Sequence, residues 1–157
     1  MKRIILITSI LCLVHGYNHA QEIKETGNLF YKDNKLYTGL YTSYFDNGNL
    51  TVEMQVKEGK KHGKVRIYFE NGQLNEIRSY KNNLMHGKWE LFNEEGIKVS
   101  VARYKKGIKH GKWLIWNSKG ILLYELRYKN GRKCGTWKNY DDNGNLLSVR
   151  KYRSAQM

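Results

Sequence analysis

The stretch GKVRIYFENGQLNEIRSYKNNLMH, residues 63–86, decides the fold. It opens with a run, Lys64 to Phe69, in which polar and apolar side chains alternate. Glu70-Asn71-Gly72 interrupts that run, and a second follows from Gln73 to Tyr80. Two short alternating runs separated by Asn-Gly predict a β-hairpin. Val65 and Ile67 point to one face and Tyr68 to the other, because side chains in a strand alternate with period two. No spacing of three and four persists long enough for a helix.

The same segment recurs along the chain. Gly39, Gly63, Gly87, Gly111 and Gly135 stand 24 residues apart, and Gly48, Gly72, Gly96, Gly120 and Gly144 keep the same interval. Trp89, Trp113 and Trp137 fill the column of Val65; Tyr80, Tyr104, Tyr128 and Tyr152 fill that of Val56. A fixed period of this length marks a repeat architecture. The expected fold is all-β: an antiparallel β-meander of tandem 24-residue hairpins forming an elongated, twisted sheet. Ten strands are expected over residues 39–152, extending about 45–50 Å at about 4.8 Å per strand. The glycine after Asn71 is expected at positive φ in a bulged loop. A third column reads Gly59, Asn83, Gly107, Gly131, consistent with a second left-handed turn position, since Asn tolerates that region best after Gly. Terminal strands would be unprotected edges and a route to homodimers.

Three segments follow. Residues 1–20 read as a signal peptide, with Lys2 and Arg3 ahead of an apolar run from Ile4 to Val14 that is too short to span a bilayer. Residues 21–38 form a lead-in with a partial repeat, because Tyr31 to Gly39 echoes Tyr80 to Gly87 with one residue inserted. Residues 39–157 hold five tandem repeats. The leader predicts export, to the periplasm, the outer envelope surface or the medium. Its removal would leave Cys134 as the sole cysteine, so no intramolecular disulfide is expected.

The 157-residue chain carries a formal charge of +14 and no proline. In a meander alternate turns project from opposite margins. One margin would gather Lys57, Lys60, Lys61, Lys64, Lys81, Lys88, Lys105, Lys106, Lys109, Lys112, Lys129, Arg132 and Lys133 against Glu58 alone. The other holds Asp46, Glu70, Glu94, Glu95, Asp141 and Asp142 against Lys119. The basic margin is the candidate binding edge, suited to an acidic protein, anionic lipid headgroups or an acidic glycan. Nucleic acid is disfavoured by export and by a repeat spacing wider than that of stacked bases.

No cofactor or catalytic residue is expected. His62, His86 and His110 recur in one column with Cys134, but equivalent positions two strands apart lie about 9.5 Å from one another. Such a column cannot converge on one metal ion, whose ligands lie about 2.0–2.3 Å away. The recurring residues are glycine and aromatic, which serve backbone and packing chemistry. The expected function is therefore a non-enzymatic binding or scaffold module.

The recurring pattern, seen in Gly87-Lys88-Trp89, Gly111-Lys112-Trp113 and Tyr128-Lys129-Asn130-Gly131, resembles the MORN repeat over residues 30–152. It is most similar to the bacterial variant found in YwqK-like antitoxin family proteins. The resemblance implies a hairpin sheet and a scaffold role, often at membranes or acidic lipids. Its bacterial branch implies the alternative of an antitoxin or immunity protein. Tyr41 and Val65 for Trp, Asn83 for Gly and Cys134 for His depart from the pattern and read as drift between copies.

Overall fold

The computed structural model describes residues 22–153; the leader assigned to residues 1–20 lies outside the described residues. The lead-in supplies β1 (Lys24–Thr26), β2 (Leu29–Lys32) and β3 (Lys35–Leu36), which pair as a three-stranded sheet of their own. The first repeats supply β4 (Gly39–Tyr44), β5 (Leu50–Lys57), β6 (Lys60–Tyr68) and β7 (Leu74–Lys81). Next come β8 (Leu84–Met85), β9 (Gly87–Phe92), β10 (Lys98–Lys105), β11 (Ile108–Lys109) and β12 (Gly111–Trp116). The chain ends in β13 (Leu122–Lys129), β14 (Arg132–Lys133), β15 (Gly135–Tyr140) and β16 (Leu146–Tyr152).

The ten long strands from β4 to β16 neighbour one another in chain order within one antiparallel sheet, the meander expected from sequence. The short strands β8, β11 and β14 extend the hairpins of β7, β10 and β13.

The two turn families differ in their backbone. At the Asn-Gly loops, Gly48 stands at φ 85° and its N–H donates to the Phe45 carbonyl at 2.9 Å. A Cβ at Gly48 would meet nothing within 4 Å, so backbone angle, not space, selects glycine there. The opposite turns place two consecutive residues at positive φ: Glu58 with Gly59, Asn82 with Asn83, Lys106 with Gly107, and Asn130 with Gly131. This is the type I′ geometry whose twist suits a two-residue hairpin. These turns also hydrogen-bond along the sheet. Gly59 N–H donates to Tyr37 O, Asn83 to Lys61 O, Gly107 to Met85 O and Gly131 to Lys109 O, at 2.7–3.0 Å.

A bulge in each hairpin sets the two faces. Ser43 pairs with Val52 but Tyr44 with Leu50, which leaves one extra residue on β5, and the later copies repeat the shift. The column Leu50, Leu74, Leu122 and Leu146 therefore sits opposite Tyr44, Tyr68, Trp116 and Tyr140. The Val56 and Tyr80 column shares the other face with Val65 and Trp89.

Along that second face the aromatics form a ladder. Tyr80, Trp89, Tyr104, Trp113, Tyr128, Trp137 and Tyr152 succeed one another at centroid distances of 4.9–6.2 Å, all tilted. Pairs in this geometry contribute about 0.5–1.5 kcal/mol each beyond area burial. A single layer cannot enclose a conventional core, so the ladder supplies much of its cohesion.

The exception is the N-terminal end. The lead-in folds over the same face and inserts Phe30, which is fully buried, among Met54, Val56 and Val65. The ring of Phe30 lies 5.1 Å from that of Tyr41. Val65 is thus not drift: Trp there, or Tyr at 56, would occupy the space Phe30 fills. Asn83 is not drift either. Its side-chain oxygen accepts the Lys61 N–H at 2.7 Å, and its side-chain nitrogen donates to Asn28 O at 2.8 Å. The carboxamide ties the lead-in turn to the sheet, which glycine could not do. At Gly59, by contrast, a Cβ would stand 2.6 Å from Leu36 Cδ2 and 3.1 Å from Phe30 O, so the docked lead-in demands glycine.

Two substitutions test this closure by urea unfolding. Phe30→Ala is expected to cost about 3–5 kcal/mol, and Asn83→Gly about 1–2 kcal/mol from the lost hydrogen bonds. An unchanged midpoint for Phe30→Ala would show that the lead-in does not hold the N-terminal end.

Candidate binding face and basic margin

The meander separates the candidate cations into three groups. Lys57, Lys60, Lys81, Lys105, Lys106, Lys129 and Arg132 stand at or beside the type I′ turns, exposed, and none pairs with a carboxylate among the described residues. Lys61, Lys109 and Lys133 instead lie over aromatic rings. Lys109 Nζ is 4.6 Å from the Trp113 centroid and 5.2 Å from that of Tyr128. Lys133 repeats the arrangement over Trp137 and Tyr152, and Lys61 lies 5.6 Å from the Phe30 centroid. Met85 takes this column in the middle copy, where Arg78 reaches Trp89 at 5.1 Å instead.

The third group, Lys64, Lys88 and Lys112, occupies strand positions next to the Val65 and Trp column and therefore faces the other way. Lys88 and Lys98 both reach Glu90, at 2.8 and 2.6 Å, and Lys112 and Lys138 both reach Glu125, at 3.0 and 3.7 Å. Partial burial opposes ionisation of Glu90, but hydrogen bonds from Lys88 and Lys98 outweigh it and hold the carboxyl below its ordinary range. The hydrogen bond from Lys112 does the same for Glu125. The Glu90 cluster was not legible in the repeat pattern, because Glu90 recurs in no column; Glu125 stands three repeats after Glu53, which pairs with Arg66.

At the opposite margin Asp141 accepts the Asn143 and Asn145 N–H groups and the Asn145 side chain. Asp141 thus serves its loop as a turn-forming acceptor, a role Asn93 and Asn117 take in the same column of other copies.

Three recesses follow one another along the aromatic face. One of about 230 Å³ is bordered by Glu25, Tyr41, Lys61 and Arg78. Another of about 250 Å³ is bordered by Glu76, Arg78, Trp89 and Tyr104. The third, about 420 Å³ at the C-terminal end, is lined by Tyr124, Leu126, Lys133, Trp137, Arg150 and Tyr152 among others, and by no carboxylate. In the first two the cations are neutralised, Lys61 by Glu25 and Arg78 by Glu76. Burial, then the neighbouring tyrosine, raises the phenol pKa of Tyr104 and Tyr128, which keeps both neutral donors. Tyr152 shifts downward, through its hydrogen bond to Arg150 and the charge of Lys133.

His62 Nδ1 lies 3.3 Å from the Asn82 side-chain oxygen, and the backbone N–H groups of His86, His110 and Cys134 close the hairpins. No group of three or more His, Cys, Asp or Glu side chains among the described residues is arranged to hold a metal ion.

A family model described as MORN repeat variant matches residues 37–58, 61–82, 109–130 and 133–153, more than half of the chain. The matches keep the 24-residue interval and pass over the middle copy, which contains Gly87-Lys88-Trp89. That copy carries Met85 where others have Lys and Lys98 where others have Leu, yet its strands follow the same layout. A comparison with curated proteins gives no match.

The paired carboxylates make stability depend on pH. Because Glu90 and Glu125 have lowered pKa values in the folded chain, their contribution is present above the ordinary glutamate range and is lost as pH falls through the folded values. Between pH 7 and pH 3 the double variant Glu90→Gln/Glu125→Gln is expected to lose less stability than the wild type, measured by thermal melting. Parallel losses would show that these clusters do not contribute.

Proposed function

Because the chain belongs to the MORN repeat variant family, whose repeats are generally binding and scaffold modules, we propose that it is an exported, non-enzymatic binding module for an acidic partner. The observation that carries the reading is the row of turn cations, Lys57, Lys60, Lys81, Lys105, Lys106, Lys129 and Arg132. They are exposed on one margin and unpaired with any described carboxylate, while Lys61, Arg78, Lys88 and Lys112 elsewhere on the sheet each reach a glutamate. Charges held this way at a rim raise association rates and select partners of opposite sign. The apolar aromatic face beside them supplies area that the cations alone do not. A partner protein uses both features, whereas a headgroup or glycan surface uses chiefly the margin.

Export is supported by the basic start and apolar run of residues 2–14. Sequencing the N-terminus of the chain recovered from envelope fractions tests it; a cytoplasmic chain retaining Met1 would contradict it. The alternative reading is an antitoxin or immunity protein that neutralises one specific toxin. Its mark would be a single stoichiometric protein whose activity the chain abolishes.

Affinity capture from envelope extracts, comparing the wild type with Lys105→Gln/Lys106→Gln/Lys129→Gln/Arg132→Gln, tests the margin. The variant is expected to hold its partner at least about tenfold more weakly, with a flatter salt dependence. Equal retention by both proteins would refute the basic margin as the contact surface.

A further inference from the structure

The repeat leaves one half-built site. Within the sheet, β5, β7, β10 and β13 are each paired on both sides, but their counterpart in the last copy, β16, is paired only with β15 among the described strands. Its residues are almost entirely exposed, with Leu147 at 61% and Val149 at 49%.

What a follower strand does in the earlier copies is visible. Pairing of β7 with β9, Glu76 to Leu91 and Ile77 to Glu90, brings Arg78 beside Trp89. The Arg78 guanidinium lies over that indole, and the Tyr80 ring lies 6.2 Å from it. Pairing of β13 with β15 likewise sets Trp137 on Tyr128, with centroids 5.3 Å apart. Arg150 and Tyr152 stand 72 residues beyond Arg78 and Tyr80, three whole repeats, in the same two columns. They offer an arginine and a tyrosine to a strand that no described residue supplies.

The ladder is not open at its other end. Phe30 takes the place beside Tyr41 that a tyrosine of a preceding copy would hold. A second molecule's β4 is therefore a poor follower, since its aromatic is already covered. In the antiparallel register that sets a second molecule's Tyr152 opposite Arg150, Lys151 would face its own copy, and like charges across a ladder destabilise it. The surroundings instead favour an acidic segment. The adjoining recess of about 420 Å³ has Lys133 and Arg150 on its walls, neither paired with a described carboxylate, and is lined by no carboxylate, unlike the two recesses nearer the N-terminus.

We propose that the outer edge of β16 receives an extended acidic segment of a partner protein, which pairs as an added strand and seats an aromatic side chain between Arg150 and Tyr152. Backbone pairing would provide affinity, and the aromatic together with its acidic neighbours would provide selectivity. The proposal rests on the binding-module reading and assigns to it a location and a partner chemistry.

The test uses the full chain and a dye-labelled peptide, Gly-Glu-Trp-Glu-Ile-Tyr, patterned on the follower strands with acids replacing lysines. Saturable binding below about 1 mM is expected. Arg150→Ser and Tyr152→Ala should each weaken it about tenfold or more, as should replacing the peptide's Trp with Ser. N-methylation at alternate peptide residues, which keeps every side chain, should abolish binding. Amide exchange should slow in residues 146–152. Absence of binding, indifference to N-methylation, or protection confined to residues 89–128 would each overturn the strand-addition proposal. A natural partner lost by the turn-cation variant of the previous subsection but retained by Arg150→Ser would overturn this proposal alone and leave the binding-module reading standing.

Discussion

The stacking of tyrosine on tryptophan across neighbouring strands is the interaction on which the sheet depends. A one-layer sheet leaves each face in contact with solvent, and among the described residues only Phe30, Met54, Val56, Val65, Ala102 and Cys134 are buried hydrophobics. Cohesion must then come from contacts between side chains on adjacent strands rather than between layers. A ring every strand, about 5 Å from the next, meets that need, and the lysines laid over the rings shield their outer surfaces from water. The turns serve the ladder. Type I′ geometry and the bulge opposite hold the tyrosine and tryptophan columns on one face and in register through every copy.

The same constraint makes the molecule polar along its length. At the N-terminal end the ladder is closed by the lead-in, which trades two aromatic columns for aliphatic ones and buries a phenylalanine. At the C-terminal end the last ring of the ladder among the described residues is Tyr152. In the recesses of the aromatic face charge differs in the same sense: Lys61 and Arg78 near the closed end are matched by Glu25 and Glu76, whereas Lys133 and Arg150 at the open end are not. Among the described residues the sheet therefore has one finished end and one unfinished end, and its repeats have a direction.

Much of this was legible in the residues. Exact spacing, alternation and the glycine columns specify hairpins, the meander and the separation of turn families, because these are local consequences of backbone geometry. Three features were not. The Asn83 carboxamide contacts Asn28, 55 residues away, through a fold of the lead-in that no periodicity encodes. The burial of Phe30 had a faint signal, since Val56 and Val65 lose their aromatics in adjacent strands together, as expected if something else fills the gap. The division of the lysines among turn, ring and carboxylate depends on side-chain direction within each strand. Lys88 and Lys109 look alike in sequence, yet one pairs with Glu90 and the other lies over Trp113.

Residue-resolved amide hydrogen exchange of the free chain bears most directly on a ladder closed at one end and open at the other. Protection is expected to be greatest in β4 to β6 around Phe30, to decline through β9 to β13, and to be least in β16. Uniform protection along the sheet, or strongest protection in β16, would contradict the account.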